Sequence, residues 1–306
     1  MRYIKKALCI CLVAVTFICM GCGLSQMPKP GEDEGIFYKK KTEDPDASPT
    51  PLPETFGFVD AHGREFLAIV DQRVKKVSYD WSKLKHKKGS DKIAYDDGEY
   101  TIVKGVDVSH HNGTIDWNKV KKQGYEFAIL RLGYRGYGTD GTLNVDEQFQ
   151  TSFKAARKAG MKLGVYFFSQ AVNEQEALEE AELTLTELNN SKLDLPVFFD
   201  PELITNDKAR TDGLSGKQFT QNTIAYCERI REAGYQPAIY SNLYWEARLF
   251  DLYELRDYPI WYADYQAVPQ TPYDFKFWQY SESGSVDGIT GGTDLDVMFV
   301  KKKKKS

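Results

Sequence analysis

Two carboxylates, Asp200 and Glu202, end an apolar run of strand length that begins at Leu195. In an extended chain the side chains of residues i and i+2 point to the same face, about 6.6 Å apart at the backbone, so these two acids should be neighbours. Each raises the cost of ionising the other, so one can stay protonated while its partner is charged. That pair suits acid–base cleavage of a glycosidic bond. The alternative is a strand that runs into an acidic, solvated loop.

Three segments share one pattern, in which a helix ends at a glycine and a short apolar strand follows. The glycines are Gly124, Gly160 and Gly234. The second interval is close to double the first, so a skipped unit should end near residue 197, where the run before Asp200 supplies a strand. Between such strands, Asn173 can cap a helix whose buried stripe would be Leu178, Ala181, Leu185 and Leu188.

Repeated strand–helix units with nearly continuous apolar strands predict a parallel sheet. Eight strands favour a closed barrel, and the last three are joined by connections too short for full helices. We therefore expect an α/β fold, a modified (β/α) TIM-like barrel with eight strands and fewer than eight helices. The predicted strands are Lys104–Ser109, Phe127–Arg131, Lys162–Phe168, Leu195–Asp200, Pro237–Tyr240, Pro259–Tyr262, Phe275–Tyr280 and Asp294–Phe299.

Acids and aromatic rings recur where these strands end, which is the active-site end of such barrels. Aromatic faces can stack on sugar rings, and carboxylates or amides can bind sugar hydroxyls, although any single ring here can equally be core. The recurrence favours a carbohydrate groove. The strand-end residues are Asp107, Ser109, His110, Arg131, Tyr134, Tyr166, Phe168, Asp200, Glu202, Tyr240, Asn242, Trp261, Tyr262, Asp264, Trp278, Gln279 and Tyr280.

The segment from Gly105 to Trp117, GVDVSHHNGTIDW, resembles the opening signature of glycoside hydrolase family 25, the lysozymes that cleave the glycan of bacterial peptidoglycan. The resemblance covers about residues 103–300. It continues through the Asp200–Glu202 pair, Ile239–Asn242, Trp261–Tyr265, Phe277–Ser281 and the closing TDLDVMF at Thr293–Phe299. One departure is Asp296, where the family often has Asn.

By this resemblance, Glu202 would be the general acid and base, and Asp200 would stay charged to orient the substrate's N-acetyl group, whose oxygen would act as nucleophile. Asp107 and Asp294 would flank the site and keep its potential negative, and either could instead be the nucleophile. The bond cut would be the β-1,4 link between N-acetylmuramic acid and N-acetylglucosamine. The substrate-binding residues would be Arg131, Tyr134, Tyr166, Tyr240, Trp261, Tyr262, Trp278 and Gln279.

Charge and cysteine usage exclude other classes of function. The net charge of −4 understates how acidic most of the chain is, because eight of the 40 Lys and Arg residues lie in Arg2–Lys6 and Lys301–Lys305. An acidic body argues against a nucleic-acid partner. Beyond the first 22 residues only Cys227 remains, and it falls on an apolar helical face, so we expect a buried thiol without a disulfide. No His or Cys spacing suggests a metal site, and we expect no cofactor.

The start of the chain predicts export. Residues 1–22 read as a signal peptide, and its end, ICMGC, resembles a bacterial lipobox with Cys22 as the lipidated residue, although Cys19 stands where Leu is usual. Residues 23–55, rich in proline and charge, read as a disordered tether. We expect an extracytoplasmic protein held to the membrane by a lipid anchor; the alternatives are simple cleavage, which would give a secreted protein, and a retained anchor. A small β-rich extension at 56–102, the catalytic barrel at 103–300 and a lysine tail at 301–306 would follow.

Two other functions fit parts of the pattern. A cell-wall-binding lipoprotein without catalysis would keep the groove, but the presence of all four candidate acids argues against it. A chitinase-like hydrolase would share the Asp-x-Glu strand end, but it would normally carry further aspartates on the same strand, where this chain has Val197, Phe198 and Phe199. We therefore favour a peptidoglycan hydrolase whose partner is the glycan strand, and we expect it to be a monomer.

Overall fold

The computed structural model describes residues 53–59 and 65–303. In this region all eight predicted strands are present, with ends that differ by a few residues, and they close into a barrel with fewer than eight helices. The strands are β1 (Thr55–Val59), β2 (Glu65–Ile69), β3 (Lys85–His86), β4 (Ile93–Ala94), β5 (Tyr100–Val108), β6 (Tyr125–Arg135), β7 (Leu143–Val145), β8 (Lys162–Ser169), β9 (Val197–Pro201), β10 (Pro237–Asn242), β11 (Ile260–Ala263), β12 (Phe277–Gly284) and β13 (Thr293–Lys301). The α-helices are α1 (Trp117–Lys122), α2 (Phe149–Lys158), α3 (Glu174–Leu188) and α4 (Gly216–Glu232). Short 3₁₀ helices cover Trp81–Lys83 and His110–Asn112, and a π-helical turn covers Trp245–Leu249.

The barrel strands follow the order β5, β6, β8, β9, β10, β11, β12 and β13, and β13 pairs with β5 to close the ring. Neighbours from β5 to β12 run parallel, but β13 is antiparallel to both β12 and β5. The expectation of a parallel sheet is therefore wrong for the last strand. Residues 285–292 join β12 to β13, and a parallel crossover would need roughly a dozen residues or more. The start of β13 consequently lies at the end of the barrel where the parallel strands finish.

Alternation along each strand divides the apolar core into two layers. The inner layer fills the barrel and is built around large rings such as Phe127, Phe198, Trp261 and Phe277. The outer layer lies between the strands and the helices and contains most of the remaining core. A residue's position along its strand therefore decides whether its side chain faces the barrel axis.

Helix ends follow the chemistry that the sequence predicted. Asn173 caps α3, and its Oδ1 accepts the backbone N–H of Glu176 at 3.0 Å. Gly124, Gly160 and Gly234 have φ of +87°, +77° and +86°, a left-handed conformation that glycine adopts without the cost that a Cβ would bring. These glycines release the chain from a helix into the next strand.

Residues 71–99 cover the outer face of the barrel beside β12, β13 and β5. Tyr79 stacks on Phe299 at 4.1 Å between ring centroids, and its hydroxyl donates to the Phe275 carbonyl at 2.7 Å. Further along, the His86 ring contacts Trp278, and the Tyr280 hydroxyl donates to the Asp91 carbonyl at 3.1 Å. The extension thus buries apolar strand faces that helices bury elsewhere in the barrel.

Several expectations concern residues outside the described ranges: the signal peptide, Cys22, most of the tether and the last residues of the lysine tail. Lys301 and Lys302 are described, and they pair with Glu99 at 2.9 Å and Asp96 at 2.5 Å. Cys227 is a buried free thiol, as expected. Among the described residues, no helix is both long enough and apolar enough to cross a membrane.

Candidate active site

Five carboxylic acids face the barrel axis at the end where the parallel strands finish. Asp107 lies on β5, Asp200 lies on β9, and Glu202 follows β9 directly. Asp294 and Asp296 lie on β13, and Asp294 pairs with Asp107 in the ladder because β13 runs antiparallel. All except Glu202 are buried, and Glu202 is partly exposed. The structure therefore brings together the four acids that the sequence singled out and adds a fifth.

The pKa of every one of these carboxyls is raised, mainly because burial disfavours the charged form. Burial raises the pKa of Asp107 to about 6 and that of Glu202 to about 7. For Asp200, the negative charges of Glu202 and Asp107 add to burial, and its pKa lies well above the ordinary range. Burial and these two neighbouring charges therefore favour the protonated form of Asp200 while no cation lies beside it.

Gln279 links two of the acids. Its Nε2 donates to Asp107 Oδ2 at 2.9 Å and to Asp294 Oδ2 at 3.3 Å, and its Oε1 accepts the hydroxyls of Tyr240 at 2.8 Å and Tyr265 at 2.9 Å. The two tyrosines thereby fix which end of the amide faces the carboxyls. Gln279 thus positions the carboxyls of Asp107 and Asp294. The Tyr240 hydroxyl helps to orient the Gln279 amide.

Asp296 lies beneath the other acids, where the family resemblance favours Asn. Its Oδ1 accepts the indole N–H of Trp261 at 2.8 Å, while its buried Oδ2 has no hydrogen-bond donor and faces Asp107. Burial, with the charges of Asp107 and Asp294 behind it, raises the pKa of Asp296 well above its ordinary value. The raised pKa favours the protonated form of Asp296, and in that form its carboxyl can donate to Asp107 as the amide of an Asn would.

Arg131 supplies positive charge beside the acid pair, where it opposes the rise in pKa of Asp200 and Glu202. Its Nε donates to Asp146 Oδ2 at 2.8 Å, and its Nη2 contacts the His110 ring. Burial alone would raise the pKa of Asp146, but the backbone N–H of His110 and the charge of Arg131 hold it below its ordinary value. Asp146 therefore anchors the arginine.

The predicted aromatic ligands separate into three groups. Trp261, Tyr166 and Tyr240 face the barrel axis but are almost fully buried, and the rings of Tyr166 and Tyr240 pack edge-on against Trp261. These three support the floor of the site. Tyr134 alone of the predicted rings is partly exposed, and its ring lies 5.1 Å from the Arg131 guanidinium.

Tyr262 and Trp278 are not brought to the site, which corrects the prediction that they bind substrate. Each follows an inward-facing residue on its strand, so alternation turns it outward. The Tyr262 hydroxyl donates to Asp264 Oδ2 at 3.0 Å, and the Trp278 indole donates to the Asp264 carbonyl at 2.7 Å. Both rings are fully buried in the outer core.

Sequence reasoning missed two acids near the site. Glu282 is half-buried on β12, close enough for its charge to raise the pKa of Glu202 and Asp294. Strict alternation would turn a residue three positions after Gln279 outward, but a β-bulge after Gln279 shifts the register of β12, so no signal in the sequence pointed to Glu282. Asp146 follows the short strand β7, and nothing in its sequence context pointed to Arg131. Within the described residues, no group of three or more His, Cys, Asp or Glu side chains could hold a metal ion.

Comparison with known proteins gives this site its context. The model of the glycosyl hydrolases family 25 matches residues 106–289, which is more than half of the chain. The autolytic lysozyme of Clostridium acetobutylicum is 28% identical over 196 residues, which cover 63% of this chain and 55% of that protein. Lysozyme M1 of Streptomyces globisporus is 27% identical over 216 residues, which cover 67% of this chain and 71% of that protein.

Among solved structures, the modular autolysin LytC of Streptococcus pneumoniae, in complex with a synthetic peptidoglycan ligand, matches with a TM-score of 0.57 and 24% identity. That alignment covers 79% of this chain and 56% of LytC. The chain thus spans little more than half the length of two of these relatives. At 24% identity, the likeness to LytC shows a shared fold. The segment matched by the family model, residues 106–289, contains Asp107, Asp200 and Glu202. The chain belongs to the glycosyl hydrolases family 25 and is a glycoside hydrolase.

Proposed function

We propose that this enzyme is a peptidoglycan hydrolase, an N-acetylmuramidase that cuts the β-1,4 bond between N-acetylmuramic acid and N-acetylglucosamine. The observation that carries the proposal is the acid pair at the open end of the barrel. Glu202 is partly exposed and has a pKa of about 7, while Asp200 is buried beside it. The lysozyme relatives and the peptidoglycan ligand of LytC support this substrate class.

In the proposed first step, Glu202 donates its proton to the glycosidic oxygen as that bond breaks. A carboxyl with a pKa of about 7 is half protonated near neutral pH, which suits a group that must give and later recover a proton. The carbonyl oxygen of the substrate's own N-acetyl group attacks the anomeric carbon and forms a cyclic oxazolinium ion. In the second step, the Glu202 carboxylate removes a proton from water. That water attacks the anomeric carbon, which opens the oxazolinium ring, and the product keeps the anomeric configuration of the substrate.

Asp200 is proposed to hold the N-acetyl group and to balance its positive charge. A cation beside a carboxyl favours the ionised form, so the developing oxazolinium lowers the pKa that burial raises in the free enzyme. Asp107 and Asp294, held by Gln279, are proposed to keep the surrounding potential negative. Tyr134 lies at the partly exposed rim with the buried Arg131 beside it, and these two residues are the proposed sugar contacts.

Digestion of purified peptidoglycan, with mass spectrometry of the new reducing ends, tests the proposal. We expect reducing N-acetylmuramic acid from the wild-type enzyme, and a rate about 10² to 10⁴ lower for Glu202→Gln, which keeps the shape and removes the proton. Asp200→Asn should also lose activity because an amide cannot balance a cation. Reducing N-acetylglucosamine, or near-normal turnover by Glu202→Gln, would refute the assignment. Binding of glycan without any cleavage would favour a wall-binding protein.

We also propose that Cys22 carries a lipid that anchors the protein outside the cytoplasmic membrane. The support is the lipobox-like ICMGC sequence behind a basic and apolar start. Cys22→Ala should release the protein from the membrane fraction, whereas Cys19→Ala, the matched control, should not. A Cys22→Ala protein that stays in the membrane fraction, with no lipid mass on the wild-type N-terminal peptide, would overturn this proposal.

A further inference from the structure

Glu202 lies just beyond the regular sheet. The parallel ladder between β8 and β9 ends with Ser169 opposite Pro201, so no strand pairing fixes the residue that follows. After Glu202 the chain runs through residues 203–215 without a helix or a strand. The backbone that carries the acid therefore needs another partner if its side chain is to be held in one place.

Gln170 supplies that partner. It is the residue after Ser169, it is completely buried, and its Nε2 donates to the backbone carbonyl of Glu202 at 2.6 Å. The side-chain amide thus continues the hydrogen bonding of the sheet by one residue. An amide buried in this way offsets its loss of water only through such contacts.

The Gln170 amide is itself held in one orientation. Its Oε1 accepts the Thr211 hydroxyl at 3.0 Å, which leaves Nε2 facing Glu202. Arg210 donates to the Gln170 carbonyl at 3.3 Å and forms two 2.7 Å hydrogen bonds with the Glu176 carboxylate on α3. The loop after Glu202 is therefore tied to Gln170, directly after β8, and separately to α3 through the Arg210–Glu176 pair.

We propose that Gln170 is a positioning residue that fixes the backbone of the catalytic acid Glu202. The inference rests on the proposed function in that Glu202 must be the proton donor. Displacement of a catalytic group by about 1 Å can cost about 10²-fold in rate. Gln170 is completely buried and offers no surface to a substrate, so its loss should act on turnover and leave substrate affinity in place.

Gln170→Met keeps the length of the side chain and removes the donor. We expect kcat on soluble glycan fragments to fall about 10- to 100-fold with KM little changed. The alkaline limb of the pH–rate profile should move to lower pH, because a less confined Glu202 is better solvated. Thr211→Val is a graded comparison: it removes the hydroxyl that orients the Gln170 amide but leaves the Nε2 donor in place, so kcat should fall by less than in Gln170→Met. Equal losses in both variants, or a change in KM alone, would overturn the proposal.

Gln170→Glu offers a second variant with nearly unchanged packing. The new carboxyl can donate to the Glu202 carbonyl only while protonated, so activity relative to wild type should be kept at acidic pH and lost as pH rises. The charged groups that face this position are Arg210 and Glu176, with Glu180 behind it. A constant activity ratio across pH would contradict the proposal.

NMR titration of the Glu202 carboxyl in the whole protein separates this inference from the proposed function, because it needs no substrate. We expect the apparent pKa of Glu202 to fall in Gln170→Met and to fall by less in Thr211→Val. If wild-type protein does not cut peptidoglycan but this difference appears, the proposed function fails and the positioning role stands. If cleavage is observed and the Glu202 titration is the same in all three proteins, the positioning role fails.

Discussion

Replacing Gln279 by Met tests whether the negative potential of the site depends on one amide. The methionine side chain has a similar length and no donor, so it removes the 2.9 Å hydrogen bond to Asp107 and the 3.3 Å contact to Asp294. Asp107 then keeps its buried position and loses the neutral group that stabilises its charge. Loss of the donor should therefore disfavour the ionised form of Asp107 and raise its pKa.

The size of the effect follows from that lost contact. A hydrogen bond to a charged group contributes about 1.5 to 3 kcal/mol, and one pKa unit corresponds to about 1.4 kcal/mol. The pKa of Asp107, about 6 in the native site, should therefore rise by about one to two units. If the reaction needs Asp107 ionised, the acidic limb of kcat/KM should move to higher pH by the same amount.

The assay is the pH dependence of kcat/KM on a soluble peptidoglycan fragment, with circular dichroism to show that the variant is folded. Tyr265→Phe is the matched control, because it removes a hydroxyl that Gln279 Oε1 accepts and keeps the amide donor. Its acidic limb should stay close to that of wild type. A Gln279→Met enzyme whose acidic limb does not move would show that Asp107 is not the group that must be ionised.

Two further predictions concern stability. Asp296→Asn should keep most of the activity near neutral pH and raise the free energy of unfolding more at about pH 8 than at about pH 5, because it removes a buried acid whose carboxyl must stay neutral; chemical denaturation at the two pH values measures this, and equal effects would contradict it. For the wild type, Asp107 and Glu202 have folded pKa values of about 6 and 7, above their unfolded values of about 3.9 and 4.3. Their protonation therefore stabilises the folded state, so the thermal midpoint should rise as pH falls from about 8 to about 5; a midpoint that falls over this range would show that the acids are not buried as described.

The barrel was predictable because its signals are local and repeated. Glycines that end helices, apolar runs of strand length and the Asn173 cap each act within a few residues, and the structure confirms them. The direction of β13 was harder to predict, since it depends on what the 285–292 connection can span. That same connection explains why Asp294, at the start of its strand, meets acids that lie at the ends of theirs.

Alternation along the strands limits which of the predicted ligands can face the barrel axis. Adjacent residues on a strand face opposite sides, so Trp261 and Tyr262 cannot both face inward, and neither can Trp278 and Gln279. Which member of each pair faces inward depends on the register of the whole ring of strands. In the register where Asp294 pairs with Asp107, Trp261 is the inward-facing member of the first pair and Gln279 that of the second.

Buried acids away from the strand ends lie beyond sequence reasoning altogether. The helical pattern of α3 predicted a stripe of Leu178, Ala181, Leu185 and Leu188, yet the completely buried positions include Glu180. Its Oε1 accepts Arg135 Nε at 2.8 Å, and Arg135 also binds Glu179. From sequence alone, a glutamate among leucines is predicted to be exposed to solvent, because burial of its charge costs several kcal/mol unless a partner is present. That partner comes from β6, a distant part of the chain, so only the assembled barrel makes the position tolerable. The same strand β6 carries Arg131. It therefore places Arg131 beside the acids of the site and Arg135 beside Glu179 and Glu180 of α3.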